Sequence, residues 1–255
     1  MNEPRVESLS YAVSSAAHTQ YKNPKPQDFH TALGRFLLVD GRLTFWPDEN
    51  FGSVEDARAA VEPYLRDWEI HAALKFEHGV IQFRFDSGQV VDLRPVGPGL
   101  IAISSAVSSV TFADAALAIA TKGTYPDPPT DFRSTTEVEL AVRRWWNYKA
   151  GLEPLPGAAY LIYTILAPTE GRNKDEAAAL FAIDKEVLRK LSELSSKRGD
   201  ESSVRKVDNI ARLNPLSDTE RAWLEAAIVR IIRRLGEHAA GAPLSQIAMA
   251  DLPAL

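Results

Sequence analysis

The sequence predicts an α+β fold, with an N-terminal antiparallel sheet carrying one or two packed helices, followed by an all-α helical bundle. Three observations support this prediction. Short alternating apolar segments joined by glycine turns fill the chain up to about Thr124, the proline-rich segment 125–129 follows, and apolar residues then recur at helical spacing. This change of character indicates two differently built halves with separate tasks.

We expect five parts along the chain. Residues 1–30 are polar, which predicts an arm with little regular structure. The other parts are an antiparallel α+β domain over 31–124, a proline-rich linker over 125–134, a helical bundle domain over 135–240 and a loose tail over 241–255.

The clearest strand signal is a hairpin centred on Asp40-Gly41. This dipeptide supplies the positive φ angles of a type I′ turn. A two-residue loop pairs Leu38 with Leu43 and Phe36 with Phe45, which places four apolar side chains on one face of the hairpin.

A helix is expected directly after the hairpin. Ser53 followed by Asp56 is typical of a helix N-cap with an acidic residue in the first turn. Pro63 should bend this helix or split it in two. The residues at helical spacing are Val54, Ala57, Val61, Tyr64, Leu65 and Trp68.

Residues 69–94 alternate between apolar and polar side chains, which predicts a strand meander. The first strand covers 70–76, His78-Gly79 turns the chain, and the second strand begins near Ile81. We place a further three-residue turn at 87–89, with Gly88 in the left-handed conformation. Later in this half, we expect a strand over 100–105 and a helix from Thr111 to about Thr121.

The second half carries helix-start signals at regular intervals. The strongest is the capping box Ser217-x-x-Glu220, which opens a helix with a core stripe of Leu224, Ile228, Ile231 and Leu235. The other expected helices run from the capping box Thr136-x-x-Glu139 to Lys149, from Gly157 to Leu166, from Asn173 to about Ala182, and from Asp184 to about Arg198.

Composition narrows the classes of function. The chain has 255 residues, no cysteine and a net charge of −5. The absence of cysteine excludes disulfides, thiolate catalysis and Cys-ligated metal centres. Residues 1–130 hold 11 Lys and Arg against 16 Asp and Glu, so the excess acid lies in this half and disfavours non-specific nucleic-acid binding there. The start of the chain lacks the pattern of a signal peptide and the apolar stretches are short, so we expect a cytoplasmic protein without membrane contact.

The stretch from Glu176 to Lys190 has the spacing of a helix-turn-helix unit, with the turn near Ile183-Asp184. Its second helix would present cations to nucleic acid, namely Lys185, Arg189, Lys190 and Arg198. Two observations favour an ordinary pair of bundle helices instead: alanine stands where the turn glycine is usual, and eight acidic residues lie among ten basic ones in residues 172–212.

Two adjacent tryptophans, Trp145 and Trp146, lie among arginines on an expected helix. Adjacent side chains on a helix cannot both point into the core, so we expect one of them at a contact between halves or subunits. The histidines lack the spacing of metal ligands, so no metal and no cofactor is predicted. His71 beside Glu69 and the acids Asp86 and Asp92 fit exposed strand positions.

Residues 140–238 resemble an uncharacterised group of bacterial proteins. Part of that group is similar to the HEPN-like region of phage-defence proteins, and Arg233-x₄-His238 resembles the HEPN ribonuclease motif, apart from Arg234 directly after Arg233. The resemblance implies a helical bundle, homodimer formation through these helices and RNA as a substrate. The residues that carry the wider resemblance are Trp145-Trp146, Ala159-Tyr160, Val187 to Leu191, Ser195, Arg198-Gly199, Arg205-Lys206 and Trp223-Leu224.

Chemistry and geometry favour different interpretations of Arg233 and His238. Histidine can move a proton and arginine can hold a phosphate, as a ribonuclease requires. On an unbroken helix, however, the two residues lie roughly 140° apart and converge only if the helix unwinds at Gly236. Cations at a helix C-terminus are also favoured by the helix dipole alone.

The interpretation we favour is a two-part binding protein without a cofactor. Its N-terminal domain would recognise a ligand or partner, and its C-terminal helices would mediate assembly, with Trp145 and Trp146 at an interface. One alternative is a metal-independent endoribonuclease that uses Arg233 and His238. Another is a DNA-binding regulator that uses residues 176–198.

Overall fold

The computed structural model describes residues 4–16, 19–92, 120–166, 174–198 and 215–255. The fold is mixed α+β, with an N-terminal antiparallel five-stranded sheet followed by helices. The chain divides into two compact units, Met1–Pro129 and Thr130–Leu255, and the division falls within the linker expected over 125–134.

The first unit, in its described part, is built from strands around one long helix. The helix α1 spans Val54–Lys75. The strands are β1 (Pro4–Ser14), β2 (Thr19–Lys25), β3 (Gln27–Thr31), β4 (Gly34–Val39), β5 (Arg42–Pro47), β6 (Gln82–Asp92) and β7 (Ala120–Thr124).

Five of these strands form the antiparallel sheet, in the order β3-β4-β5-β1-β6. Strands β2 and β7 pair with each other in parallel. The sheet and α1 share one core, in which Trp68, Val61 and Ala57 of the helix are fully buried. The core residues from the sheet include Val6, Leu9, Tyr11, Phe36, Leu38, Leu43 and Phe45.

The predicted hairpin is confirmed. Strands β4 and β5 pair Phe36 with Phe45 and Leu38 with Leu43, and all four side chains are buried. Asp40 and Gly41 adopt φ angles of 49° and 75°, as a type I′ turn requires.

The predicted start of α1 is also confirmed, because the hydroxyl of Ser53 accepts a hydrogen bond from the amide of Asp56 at 3.1 Å. Of the two effects expected of Pro63, a split does not occur, because α1 continues through it. The strand expected over residues 70–76 is wrong, because residues 70–75 belong to α1. Buried positions such as Ala72 continue the three-to-four spacing of the helix, and this pattern prevails over the local alternation.

The expected turn at 87–89 is wrong, because β6 runs unbroken from Gln82 to Asp92 and pairs with β1 along its length. Gly88 serves a close approach instead of a turn. A Cβ atom at Gly88 would lie 2.8 Å from Cγ2 of Val54 and 3.1 Å from Cδ2 of Leu9. The glycine therefore lets the start of α1 pass directly over the strand.

The polar arm expected over residues 1–30 is wrong as well. This region contains β1, which lies between β5 and β6 in the sheet, followed by β2 and β3. Irregular pairing in β1, at Val6/Ser8 and at Ser10/Tyr11, disturbs its apolar alternation. Val6 and Leu9 are both buried although they lie three residues apart, so the period-two signal of a strand is lost.

Two expected elements lie wholly or mostly outside the described residues. The strand over 100–105 is one, and the helix from Thr111 is the other. Where the structure resumes, residues 120–124 form β7, so the expected helix does not reach Thr121.

The described part of the second unit is mainly helical. The helices are α2 (Thr136–Lys149), α3 (Leu155–Leu166), α4 (Lys174–Leu180), α5 (Lys185–Lys197) and α6 (Asp218–Ala239), with a 3₁₀ helix at Met249–Asp251. The apolar helix α3 packs against α2, α5 and α6.

The helix starts in this unit follow the sequence signals closely. Both halves of the Ser217-x-x-Glu220 capping box are formed at the start of α6. Asp184 caps α5 by accepting a hydrogen bond from the amide of Glu186. At α2 the cap lies one residue earlier than expected, because the hydroxyl of Thr135 accepts from the amide of Val138.

The tail expected to be loose after Gly241 is held against the helices. Ile247 forms a parallel bridge with Ile183, with hydrogen bonds from Asp184 N to Ile247 O and from Ile247 N to Ala182 O. Ile247 and Leu252 are buried. These isolated apolar residues carry no periodic signal, so the sequence pattern did not indicate their packing.

Gly236 allows a close contact in the middle of the last turns of α6. A Cβ atom at this position would lie 2.1 Å from Cε2 of Phe132, so the aromatic ring packs directly on the helix backbone. The amide of Arg133 donates to the carbonyl of Gly236 at 3.1 Å. The segment that opens the second unit is therefore fixed to α6 by a contact that only glycine permits.

Replacing Gly236 with alanine should destabilise the protein by about 1–3 kcal/mol, because the rigid Phe132 ring must move. Gly157→Ala is the matched control, since Gly157 also lies in a helix and its Cβ would meet atoms no closer than 3.5 Å. The control should be neutral or stabilise by up to about 1 kcal/mol. Chemical denaturation measures both changes, and equal stability of the two variants would contradict the packing argument.

Candidate functional site

A cleft of about 590 Å³ lies in the first unit between α1 and the outer strand β6. Its volume is typical of small-ligand sites. Side chains from three separate parts of the chain line it: Tyr11 from β1; Arg58, Glu62, Leu65, Arg66 and Glu69 from α1; and Phe83, Arg84 and Phe85 from β6.

The helix supplies the charged side of the cleft. Positions 58, 62, 66 and 69 are spaced by three or four residues, so their side chains follow one another along one side of α1. Arg58 pairs with Glu62 at 2.7 Å, and Arg66 pairs with Glu69 at 3.1 Å. The other carboxylate oxygen of Glu69 accepts the backbone amide of Phe83 at 2.8 Å, which ties the helix to β6.

The floor of the cleft is aromatic. The rings of Tyr11 and Phe85 meet edge to face with their centres 5.7 Å apart. The guanidinium of Arg58 lies over the ring of Phe85, 4.2 Å from its centre. This stacking and the bond to Glu62 orient the arginine head group in the ligand-free cleft.

The Tyr11 hydroxyl is a buried polar group in the cleft whose hydrogen bonding is incomplete. Tyr11 is 1% exposed, and its hydroxyl oxygen is closed to solvent without a hydrogen-bond partner in good geometry. Burial raises the pKa of Tyr11, with a further rise from nearby Glu62 and an opposing influence from Arg58. An unsatisfied buried hydroxyl costs about 1–3 kcal/mol, which native proteins tolerate mainly where the group has a task.

Sequence reasoning missed this site for identifiable reasons. Tyr11 lies in the segment expected to be an unstructured arm, and Phe85 lies in an expected hairpin. The site forms only when β1, α1 and β6 come together. The available local signal was the spacing of charged residues along α1, which is also typical of a solvated helix face.

A second cleft of about 410 Å³ lies elsewhere in the first unit. Tyr21 and Tyr125 line it, with ring centres 4.7 Å apart. The hydroxyl of Tyr125 accepts the amide of Gly41, and the hydroxyl of Tyr21 donates to the carbonyl of Val80. Both tyrosine hydroxyls thus have partners within the fold.

Arg233 and His238 do not meet within one chain. Helix α6 is continuous through Gly236, so the unwinding that would bring them together is absent. Arg233 pairs with Glu237 at 3.0 Å, and the His238 ring packs edge to face on Phe181. The hypothesis of a ribonuclease site between two subunits stays a prediction.

The neighbouring Arg234 has a clear structural task. It is 4% exposed, and its guanidinium donates to three carbonyl oxygens and to the carboxylate of Glu237. The carbonyls belong to Phe181 and Ala182 in the turn after α4, at 2.6 and 3.0 Å, and to Ser245 in the tail, at 2.7 Å. The arginine therefore joins α6, the turn and the tail.

The turn between α4 and α5 has a left-handed residue at the position where a helix-turn-helix usually has glycine. Ala182 adopts a positive φ of 47°, and the amide of Ile183 donates to the carbonyl of Ala178, which closes a Schellman motif. Alanine thus stands in the conformation that glycine favours.

The candidate DNA-contacting cations are all engaged with carboxylates. Their partners are Asp175 for Lys185, Glu186 and Glu193 for Arg189, Glu193 for Lys190 and Glu220 for Arg198. A phosphate would have to compete with each of these partners, which reduces the electrostatic gain of binding. The role in DNA binding stays a prediction.

The paired tryptophans differ in exposure. Trp145 is buried in the second unit, at 5% exposed, and it contacts the ring of Tyr148. Trp146 is half-buried. Trp145 is therefore a core residue, and of the two only Trp146 has surface to offer to another molecule.

The remaining candidates have ordinary positions. His71 and Glu69 lie on α1 and not on a strand, and Asp86 pairs with Arg42 across the sheet. Asp86 and Asp92 are not opposed, because the hairpin expected between them does not exist. Among the described residues, no group of three or more potential ligands could hold a metal ion, and no helix is long and apolar enough to cross a membrane.

Replacing Arg234 with methionine should destabilise the protein by about 3–5 kcal/mol, because Glu237 loses its buried charge partner and the carbonyls of Phe181 and Ser245 lose the guanidinium donor, while that of Ala182 keeps only the amide of Ile247. Arg233→Gln is the matched control: the neighbouring side chain is 44% exposed and its loss should cost no more than about 0.5 kcal/mol. Denaturant unfolding of the two variants compares these effects directly. Similar losses in both would show that Arg234 does not hold the turn and the tail together.

Comparisons of the chain with protein-family models, with curated proteins and with solved structures gave no match.

Proposed function

We propose that the chain is a two-part binding protein. Its first unit recognises a small ligand in the cleft between α1 and β6, and its second unit is a helical bundle that mediates self-assembly. The observation that carries the first part is the buried Tyr11 hydroxyl, which lacks a partner beside a stacked, charge-paired Arg58.

The composition of the cleft supports ligand recognition. Apolar surface from Leu65, Phe83 and Phe85 lies next to a few fixed polar groups, which is the usual make-up of a small-ligand site. The bond between Glu69 and the Phe83 amide holds helix and strand together, so the cleft is formed before a ligand arrives.

Exposed apolar side chains support assembly through the second unit. Leu152 is 78% exposed in the loop after α2, and Leu140 on α2 is 36% exposed. Trp146 on α2 is half-buried, so it adds to the apolar surface of this unit, although on a regular helix it lies about 120° from Leu140.

A fragment screen by NMR on the isotope-labelled full chain tests the binding site. We expect the fragments that bind to shift backbone amides of residues 58–69 and 82–85, since these line the cleft. Saturation should follow one-site binding with a common set of shifted signals. Fragments that bind only at other surfaces would contradict the proposed site.

Sedimentation velocity over a range of protein concentrations tests self-assembly. The full chain should sediment as a dimer, and Leu152→Glu should shift it towards the monomer, because a charge cannot be buried at low cost in an apolar contact. Leu255→Glu is the control, as this terminal leucine is also strongly exposed, at 49%. A wild-type chain that stays monomeric at every concentration would contradict self-assembly.

A further inference from the structure

The chemistry of the cleft points to one class of ligand. The hydrogen-bonding groups that lack partners in the cleft indicate whether it favours an anion, a neutral molecule or a cation. The Tyr11 hydroxyl can donate and has no acceptor. Arg58 donates from Nε to Glu62 at 2.7 Å, and its guanidinium also lies close enough to the Tyr11 oxygen to oppose the rise in the pKa of Tyr11. Both groups are hydrogen-bond donors, and the carboxylate of Glu62 is the one acceptor bonded to Arg58 in good geometry among the described residues. Donors are therefore in surplus where Tyr11 and Arg58 meet.

Charge points the same way. Arg58, Arg66 and Arg84 line the cleft against two acids, Glu62 and Glu69, so the lining carries one excess positive charge. Glu69 is further committed to the amide of Phe83. A ligand with acceptor oxygens and negative charge would accept hydrogen bonds from Tyr11 and Arg58, whereas a cation would be repelled by the arginines.

We propose that the cleft binds a small organic oxyanion, a carboxylate or phosphate attached to a flat apolar group. The acidic group lies between Arg58 and the Tyr11 hydroxyl, and the apolar group lies on Leu65 and Phe83. This inference rests on the proposed function of the cleft as a ligand site.

Binding requires a small rearrangement. The Tyr11 oxygen is closed to solvent, so a ligand reaches it only when the Arg58 side chain turns. That side chain is 36% exposed and is held by one hydrogen bond and one ring contact, so it can exchange Glu62 for the ligand. Side-chain changes of this size are common on ligand binding. The ligand thus replaces one charged acceptor with another and gives the buried hydroxyl the acceptor that it lacks.

Titration of the full chain with phenyl phosphate and benzoate tests the ligand class, with benzyl alcohol as the neutral counterpart. NMR shifts of the cleft amides report binding. The two oxyanions should bind about tenfold tighter than the alcohol or better, since each gains charge-assisted hydrogen bonds. Equal affinity for the alcohol would overturn the oxyanion assignment and leave the cleft as a ligand site. Probes that shift only amides outside the cleft would overturn both.

Two variants locate the contacts. Tyr11→Phe should weaken oxyanion binding several-fold while unfolding at the same temperature as wild type or higher, because it removes an unsatisfied buried hydroxyl. Arg58→Gln should reduce oxyanion binding to the level of the alcohol. Arg35→Gln is the control, since Arg35 also lies over an aromatic ring, Trp46, and pairs with a carboxylate, Asp28, but lies outside the cleft. Full oxyanion affinity in Tyr11→Phe and Arg58→Gln would overturn the proposal.

Discussion

The first unit depends on the burial of Trp68 between helix α1 and both edges of the sheet. The indole contacts the ring of Phe29 from β3 and the ring of Phe83 from β6, with ring centres within 5.5 Å. These strands are the two outer members of the sheet and would lie roughly 19 Å apart if it were flat. The sheet must therefore curl over α1 with its outer side chains turned inward. The indole nitrogen also donates to the carbonyl of Pro126, which fixes the start of the proline-rich segment to this unit.

This curl creates the cleft. Burying the stripe that contains Val61, Leu65 and Trp68 leaves the adjacent side of α1, with Arg58 and Glu62, at the border between helix and β6. The close approach of Val54 to Gly88 sets the distance between α1 and β6 at the start of the helix. The hydrogen bond from the Phe83 amide to Glu69 sets this distance further along the helix. The backbone of α1 and β6 thus determines the width of the cleft, while the Arg58 side chain on its rim can exchange one carboxylate partner for another.

Local chemistry could be predicted from the sequence, and long-range pairing could not. Asp40-Gly41 fixes a turn type by itself, and Ser217 with Glu220 fixes a helix start, so both predictions are confirmed. Strand β1 was missed because its bulges break the alternation that identifies a strand. The sequence predicts a turn at Gly88, because glycine permits both positive φ and close packing and only the neighbours in space decide between them. The cleft was missed for the same reason: its residues are separated by tens of positions and share no local pattern.

Two buried polar side chains, Arg234 and Tyr11, show how structural and functional roles can be separated. Arg234 lies next to Arg233 of the motif that resembles the HEPN ribonuclease motif. Its guanidinium nevertheless makes four hydrogen bonds within the protein. A group that is satisfied in this way has its capacity used by the fold. Tyr11 is equally buried, and its hydroxyl makes no hydrogen bond in good geometry, although the guanidinium of Arg58 lies beside it. A buried hydroxyl without a well-formed hydrogen bond costs the fold free energy, which phenylalanine of the same shape would avoid. The Tyr11 hydroxyl is therefore a better indicator of function than the Arg234 guanidinium, and it favours a ligand site in the first unit.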